Sequence, residues 1–362
     1  MEKKYQAVTA AIRDWLEHGQ YEDDAKLPTE SALMQQFGVS RHTIRKALGE
    51  LEAANWVYRV QGAGTFVTAK AKRTVAQPPR GTVAVVATYL NDYIFPSIIA
   101  GAEQVLRQAG VSLMLASTHN DPVLEAQTLA TLAANPVSGV IIEPSQSAFG
   151  LANRAGYQKL LAAGVPVLTI NAKAADLPIP ALVMDDFEGG RLATQYLLAW
   201  HHVNLLGVFK TDDRQGVDRM NGFVTALQQA GGPSTGSFLQ YRTETPATAL
   251  EGQLQQVLRR ADRPSAVVCY NDAVAQRVAT VAQRLGLAVP GDLSLIGFDN
   301  AGLTTAGGEA LTSIAHPKTQ MGQDAAALML KLLAAKPGAA TPQSRVYPPV
   351  VVAGASVSDL GA

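Results

Sequence analysis

Hydrophobic and polar positions change their period twice along this chain. In the first segment apolar residues recur at helical spacing in short bursts. Tyr5, Val8, Ile12 and Trp15 share one face of a first helix, and Leu33, Met34 and Phe37 share one face of a second. Ile44, Ala47, Leu48 and Leu51 form the stripe of a third. Thr29 stands where a side-chain oxygen caps the second helix, Gly38 where a left-handed residue ends it, and Ser40 where the third is capped. Trp56–Val60 and Thr65–Val67 then read as β-like runs around Gln61-Gly62-Ala63-Gly64, with Asn55 at the turn before them. Helices joined by a tight turn and followed by a glycine-tipped hairpin predict a winged helix-turn-helix.

From Thr82 onward the period changes. Short runs apolar on both faces (TVAVVAT, VSLMLAS, GVIIEP, VPVLTIN, LLGVFK, SAVVCYN and LSLIGFD) alternate with helical stretches such as Pro96–Ala109, Leu124–Ala134, Gly189–Ala199, Gly216–Ala230 and Ala273–Leu285. Strands apolar on both faces and joined by helices predict parallel sheets covered on both sides, and two such series predict two lobes. Between the halves, TAKAKRTVAQPPR is basic, aperiodic and ends near a Pro-Pro pair, so 69–81 reads as a linker. The last residues, ASVSDLGA, read as a frayed end.

Charge adds chemistry to the first segment. The whole chain is balanced, 30 basic against 30 acidic residues. Across 41–73, however, Arg41, Arg45, Lys46, Arg59, Lys70, Lys72 and Arg73 face only Glu50 and Glu52. A positive field confined to one end suits a polyanion. On the third helix His42, Arg45, Lys46 and Gly49 lie opposite the apolar stripe, with Arg41 one turn earlier. Arginine donates two hydrogen bonds to guanine O6 and N7 in the major groove, and the helix start at Ser40 and Arg41 favours a phosphate. Lys4 precedes the first helix and joins these candidates. A basic helix face is ordinarily a solvated one; the local charge excess is what favours DNA here.

LPTESALMQQFGVSRHTIRKAL followed by QGAGTFV resembles the GntR-type DNA-binding module, matched almost throughout 1–68. The resemblance implies that Arg41, Thr43 and Arg45 face DNA, that Glu30 begins the preceding helix, and that Gln61 and Gly62 stand in the wing.

In the second segment the strand ends are the place to look, because open parallel sheets bind ligands beyond their carboxyl edges. Tyr89, Tyr93 and Phe95 follow the first strand, Glu143 the third and Asn171 the fourth. Lys210, Asp212, Asp213 and Arg219 follow LLGVF, Asn271 and Asp272 follow SAVVCY, Asp299 follows LSLIGF, and His316 ends LTSIAH. Paired donors and acceptors beside aromatic faces suit a small polar molecule such as a sugar. No glycine-rich phosphate loop follows any of these strands.

DDFEGGRLATQYLL, LGVFKTDDRQGVDRMNGFVTAL, AVVCYNDAVA, VPGDLSLIGFDN and LTSIAHPKTQMGQDAAALML resemble the effector domain of LacI/GalR regulators, itself similar to periplasmic sugar-binding proteins. The resemblance covers about 82 to 353. It implies that Arg219, Asn271 or Asp272, Asp299 and His316 line a ligand cleft, faced by Tyr93 and Phe95 from the other lobe. The implied fold is a multidomain one: a small α+β winged head (1–68), a linker (69–81), and a two-lobed α/β effector and dimerisation domain with parallel sheets (82–362). With DYIFPSII and FKTDDRQGVDRMNGF, the pairing of head and body resembles the arabinose-responsive repressors of sugar-utilisation operons. It implies L-arabinose as effector, a homodimer on pseudo-palindromic double-stranded operator DNA, and release of the operator when sugar binds between the lobes. Another pentose or a phosphorylated sugar, met by Lys173, Lys210 and Arg219, is the alternative effector.

Other classes fit less well. Cys269 is the single cysteine, so the chain cannot close an intrachain disulfide. No signal-peptide pattern and no long apolar run are present, which predicts a cytoplasmic protein without a membrane partner. Neither a Ser-His-Asp order nor an HExxH or CxxC motif appears, so an enzyme is not expected, although Glu143 and Asp299 are carboxylates of the kind that do acid–base work on sugars. No cofactor is expected. The pair His201-His202, where the family usually has Gly-His, lacks acidic partners at ligand spacing, so no metal is expected.

Overall fold

The computed structural model describes residues 4–53, 56–60, 63–68, 81–90, 94–135, 137–174, 177–231, 234–335 and 342–361. The chain divides into two compact units, Met1–Pro79 and Arg80–Ala362. Asn55, Gln61, Gly62, Tyr93 and linker positions 69–80 lie outside the described residues.

The first unit contains α1 (Lys4–Glu17), α2 (Glu30–Phe37), α3 (Arg41–Ala53) and an antiparallel hairpin of β1 (Val57–Val60) and β2 (Gly64–Val67). Thr29 caps α2 by accepting from Ala32 N, and Gly38 ends it at φ 62°, a left-handed conformation that costs glycine nothing. Ser40 Oγ accepts from Thr43 N, 3.3 Å away, and so caps α3. Val8, Ile12, Leu16, Leu33, Ile44, Leu48, Leu51, Val57 and Val67 close a core of their own. The apolar stripes of all three helices therefore meet, leaving the polar side of α3 to solvent.

The second unit has two lobes, each a six-stranded sheet. The first sheet runs β13-β7-β6-β5-β3-β4 and the second β14-β12-β11-β10-β8-β9. In the first, β3 (Thr82–Ala87), β4 (Ser112–Ser117), β5 (Gly139–Ile142), β6 (Val167–Ile170), β7 (Ala181–Met184) and β13 (Arg345–Tyr347) are all parallel. In the second, β8 (Asn204–Lys210), β9 (Thr235–Tyr241), β10 (Ala266–Cys269), β11 (Ser294–Asp299) and β12 (Thr312–Ala315) are parallel, and β14 (Val351–Val352) joins antiparallel.

The helices are α4 (Phe95–Gln108), α5 (Pro122–Ala134), α6 (Arg154–Ala162), α7 (Asp186–Ala199), α8 (Arg214–Ala230), α9 (Ala247–Leu258), α10 (Asp272–Arg284) and α11 (Lys318–Ala334). α11 packs along α4 on the first sheet, and α7 packs along α8 on the second. The chain thus crosses between lobes three times, after β7, after β12 and after β13. All three crossings lie at one edge of the sheets; β4 and β9 form the opposite edges.

Several elements depart from the sequence reading. β7 and β9 were not anticipated, being short or half-polar. β4 is apolar in sequence, yet Met114 and Leu115 are exposed, because the strand lies at a sheet edge. The end of the chain is not frayed as expected. Ser356 is fully buried; its Oγ accepts from Thr312 N at 2.8 Å and donates to Leu295 O at 2.7 Å. His202 is buried and bonds Ser265 Oγ at 2.9 Å and Ser358 O at 3.0 Å, while His201 meets Asp359 at 2.7 Å. The His-His pair is therefore a structural anchor for 358–359, with His201 taking the turn at φ 65°. No helix among the described residues is long and apolar enough to cross a membrane.

Candidate functional site

Between the lobes lies a cavity of about 380 Å³, lined at the carboxyl ends of strands from both sheets. Thr88, Tyr89, Phe95, Glu143 and Asn171 line it from the first lobe, Lys210, Asp213, Gln215, Arg219, Tyr270, Asn271 and Asp299 from the second, and Asp186 and His316 from the crossings.

Arg219 is the centre of charge. Its Nε donates to Asp186 Oδ1 at 2.8 Å and its Nη1 to Tyr270 O at 2.7 Å, with Asp299 Oδ1 at 4.0 Å from Nη2. The guanidinium lies over the Phe298 ring, 3.4 Å from its centroid, and 5.0 Å from that of Tyr270. Burial opposes the charge, but Asp186 and Asp299 outweigh it and hold the group protonated. Burial pushes Asp186 up to about 6 against the pull of Arg219. Helices α7 and α8 make this pairing possible: a Cβ at Gly190 would lie 2.0 Å from Arg219 O, and one at Gly222 2.0 Å from Phe187 O.

Lys210 Nζ donates to Asp213 Oδ2 at 2.6 Å and lies 3.8 Å from Asp212 Oδ1. Burial alone would depress its pKa; Asp213 and Asp212 raise it instead. Lys210 and Arg219 thus carry their own counter-charges, while Arg242 and Arg277 also line the cavity.

A neutral relay crosses the other wall. Burial, with Arg219 and Lys318 nearby, pulls His316 down to about 3, so the ring is neutral. Its Nε2 lies 3.2 Å from Asn171 Oδ1, an acceptor only, so Nε2 carries the hydrogen. Nδ1 is then an acceptor, and it has no protein partner. Asn171 Nδ2 donates to Glu143 Oε1 at 2.9 Å, Gln215 Nε2 reaches the same oxygen at 3.2 Å, and Thr88 Oγ1 bonds Glu143 Oε2. Burial pushes Glu143 up to about 7, with Asp213 adding and its hydrogen bonds opposing.

Of the sequence candidates, Phe95, Glu143, Asn171, Lys210, Arg219, Asn271, Asp299 and His316 come together on this cavity. Asn271 also caps α10 through Val274 N. Asp272 does not join them. It is buried away from the cavity, accepting from Ser313 Oγ at 2.6 Å and Ala301 N at 2.8 Å, because the first helical residue points back into the sheet and braces the 299–301 loop. Lys173 lines a neighbouring cavity rather than this one. Asp186, Gln215 and Tyr270 were missed. The Asp-Asp at 185–186 follows a strand that the sequence reading did not recognise, which hid its place at a strand end.

In the first unit, Arg41, His42, Arg45 and Lys46 are exposed on one side of α3. Arg41 Nε and Arg45 Nε lie 3.3 and 3.5 Å from the two oxygens of Glu30, which opens α2. Thr43 bonds Ser40 Oγ at 2.9 Å, and Lys46 Nζ sits 4.1 Å from the centroid of Tyr5. Lys4 begins α1; its side chain lies outside what is described. Glu30 thus holds two guanidinium groups side by side on the face that a groove-binding helix would present.

A winged head with a basic recognition helix, joined to a two-lobed body with a polar cleft, defines a ligand-responsive DNA-binding regulator. Residues 4–67 match the bacterial regulatory proteins of the gntR family, and 194–357 match the periplasmic binding protein-like domain. The chain is 43% identical over 333 residues to the arabinose metabolism transcriptional repressor of Geobacillus stearothermophilus, covering 91% of each. It is 37% identical to that of Halalkalibacterium halodurans, over 92% of this chain and 90% of the relative. Among solved structures, a LacI family transcriptional regulator from Enterococcus faecium with bound ribose superposes with a TM-score of 0.66 at 23% identity, over 77% of this chain and 99% of that one. The chain belongs to the family of arabinose metabolism transcriptional repressors, and is a regulator rather than an enzyme.

Proposed function

We propose that this repressor is released from its operator by free L-arabinose bound between the lobes, and that it acts in the cytosol as a homodimer on a pseudo-palindromic site. Residues 1–68 serve as the DNA-reading head, 69–81 as the linker and 82–362 as the effector and dimerisation domain. Arg41, Thr43 and Arg45 read or position on bases, with Ser40, His42, Lys46, Lys4, Gln61 and Gly62 on the backbone or wing and Glu30 holding the two arginines. Phe95, Glu143 and Asn171 from the first lobe, Lys210, Arg219, Asn271 and Asp299 from the second, and His316 from a crossing bind the sugar, together with Tyr93.

One observation carries the reading of a neutral sugar. Lys210 and Arg219, the two buried cations of the cleft, are matched by carboxylates, and around them the lining is rich in neutral hydrogen-bonding groups, among them Thr88, Asn171, Gln215 and Asn271. A polyhydroxyl ligand supplies donors and acceptors to such groups without adding charge, whereas a phosphate ester would be drawn to Arg242 and Arg277, which line the same cavity without a carboxylate partner among the described residues. The relatives are named for arabinose metabolism, and a structural neighbour holds ribose, another pentose.

The test is calorimetric titration with L-arabinose, D-ribose, D-xylose and a pentose 5-phosphate, followed by operator retardation with and without each compound. Selective binding of L-arabinose with operator release is expected. Binding of the phosphate ester alone would replace the reading.

A further inference from the structure

We infer that Asn120 is a clasp that closes the rim of the cleft and, through Asp213, keeps Lys210 in place. Asn120 follows β4 and belongs to the first lobe. Its Nδ2 donates across the cleft to Asp213 Oδ1 at 2.9 Å and to Thr243 Oγ1 at 2.7 Å. Both partners belong to the second lobe. Asn120 is 1% exposed, so its end of these bonds is shielded from water.

Topology gives this contact its leverage. All three chain crossings lie at the edge of the sheets that holds β7, β13, β12 and β14. Asn120 and Thr243 follow β4 and β9, the strands at the far edge of each sheet. A rotation about the crossings moves the far edges most, so a bond there is the first to break on opening and resists it with the longest arm.

Each half is built for the contact. On the first lobe, Asn120 sits at φ 56°, in the left-handed region that asparagine tolerates. Its Oδ1 accepts from Gln146 N at 2.8 Å, which fixes the amide so that both hydrogens face the second lobe. On the second, Asp212 Oδ2 accepts from Thr243 N at 2.8 Å and holds the loop. Asp213 is shared: its Oδ1 takes Asn120, its Oδ2 takes Lys210 Nζ at 2.6 Å and Tyr270 OH at 3.1 Å. Only asparagine combines the backbone tolerance with one acceptor and two donors at this reach. Nearer the crossings, Ala148 N donates to Asp212 O at 3.1 Å and Arg214 N to Ser147 Oγ at 3.0 Å. These two amides are reporters of lobe opening.

The lobes are therefore bonded to each other directly, and the clasp sets how fast the cleft opens. It acts on entry and exit alike, which separates it from a residue that touches the sugar. That kinetic part rests on the sugar reading above; the closure itself does not.

The test uses the full chain with Asn120→Asp, which keeps the shape and the acceptor but loses both donors and sets a carboxylate against Asp213, and with Thr243→Val. In the ligand-free protein, hydrogen exchange of the peptides holding Ala148 and Arg214 is expected to quicken at least about tenfold in Asn120→Asp, which loses a bond to a charged group, and by a smaller factor, about threefold, in Thr243→Val, which loses a neutral one. In stopped-flow tyrosine fluorescence with L-arabinose, association and dissociation rates are expected to rise by similar factors, with Kd moving less. Unchanged exchange in both variants overturns the clasp. So does a faster dissociation with unchanged association, the mark of a direct sugar contact. If the wild type binds no L-arabinose, the effector reading fails and exchange alone judges the clasp.

Discussion

Asp186 and Arg219 meet at 2.8 Å because two glycines, Gly190 and Gly222, let their helices touch backbone to backbone. The Asp-Asp-Phe-Glu-Gly-Gly run on one helix and Arg-Met-Asn-Gly on the other are one device: glycines for approach, a carboxylate and a guanidinium for the cleft. Gly222→Ala is expected to push α7 off α8, lowering stability by about 1–3 kcal/mol and weakening sugar binding in parallel. Urea unfolding and calorimetry read the two effects. Wild-type sugar affinity in a destabilised variant would separate the helix contact from the site.

The buried pair itself behaves asymmetrically. Arg219→Ala leaves Asp186 and Asp299 without their shared cation and is expected to cost about 3–5 kcal/mol of stability, with loss of the sugar response. Adding Asp186→Asn should return much of the stability without returning sugar binding. If the single variant responds at the wild-type sugar concentration, the cleft is not the sensor.

Glu143 makes stability depend on pH. Its folded pKa, about 7, lies above the ordinary value of 4.5, so the folded state holds a proton that the unfolded state releases first. The associated stability is present below 4.5 and lost as pH rises through 7. Relative to Glu143→Gln, the wild type is expected to lose about 3 kcal/mol over that window. His316 works the other way: its depressed pKa gives stability above 6.5 that is lost as pH falls toward 3. Melting curves of the wild type and Glu143→Gln between about pH 4 and 8 test the sign at Glu143; parallel curves would mean that its pKa does not change on folding.

On the DNA side, Arg41→Ala and Arg45→Ala are each expected to weaken operator binding by roughly 1–3 kcal/mol if they read bases. Unchanged affinity in both would remove α3 from the groove. Glu30→Ala frees both guanidinium groups from their shared carboxylate and should relax sequence preference more than affinity, read by competition between operator and random duplex.

Operator affinity should also fall steeply with salt, as phosphate contacts displace condensed counterions. Binding measured between about 50 and 200 mM salt gives the slope, and a flat profile would mark the basic face of α3 as merely solvated.

How much of this was legible in the residues depends on the range of the interaction. The three helices and hairpin of the head were readable because caps and stripes are local: Thr29, Gly38, Ser40 and the Ile44–Leu51 face act within a few residues of themselves. The alternation of apolar strands and helices likewise announced two parallel sheets, and the carboxyl-edge rule brought Glu143, Asn171, Lys210, Arg219, Asp299 and His316 to one place before any coordinate.

Tertiary structure decided the rest, and for one reason: a side chain's role depends on which distant partner satisfies it. Asp272 looked like a cleft residue until Ser313 and Ala301 claimed both its oxygens. His201 and His202 looked unpartnered until 358–359 folded back onto them, and that same docking ordered an end whose sequence has no periodicity. Asp186 became visible only with β7, and Asn120 only when the strand order put β4 and β9 at the edges farthest from the chain crossings. Sequence determined the elements and the kinds of chemistry; the pairing of elements across the lobes determined which groups were already spent and which remained for a ligand.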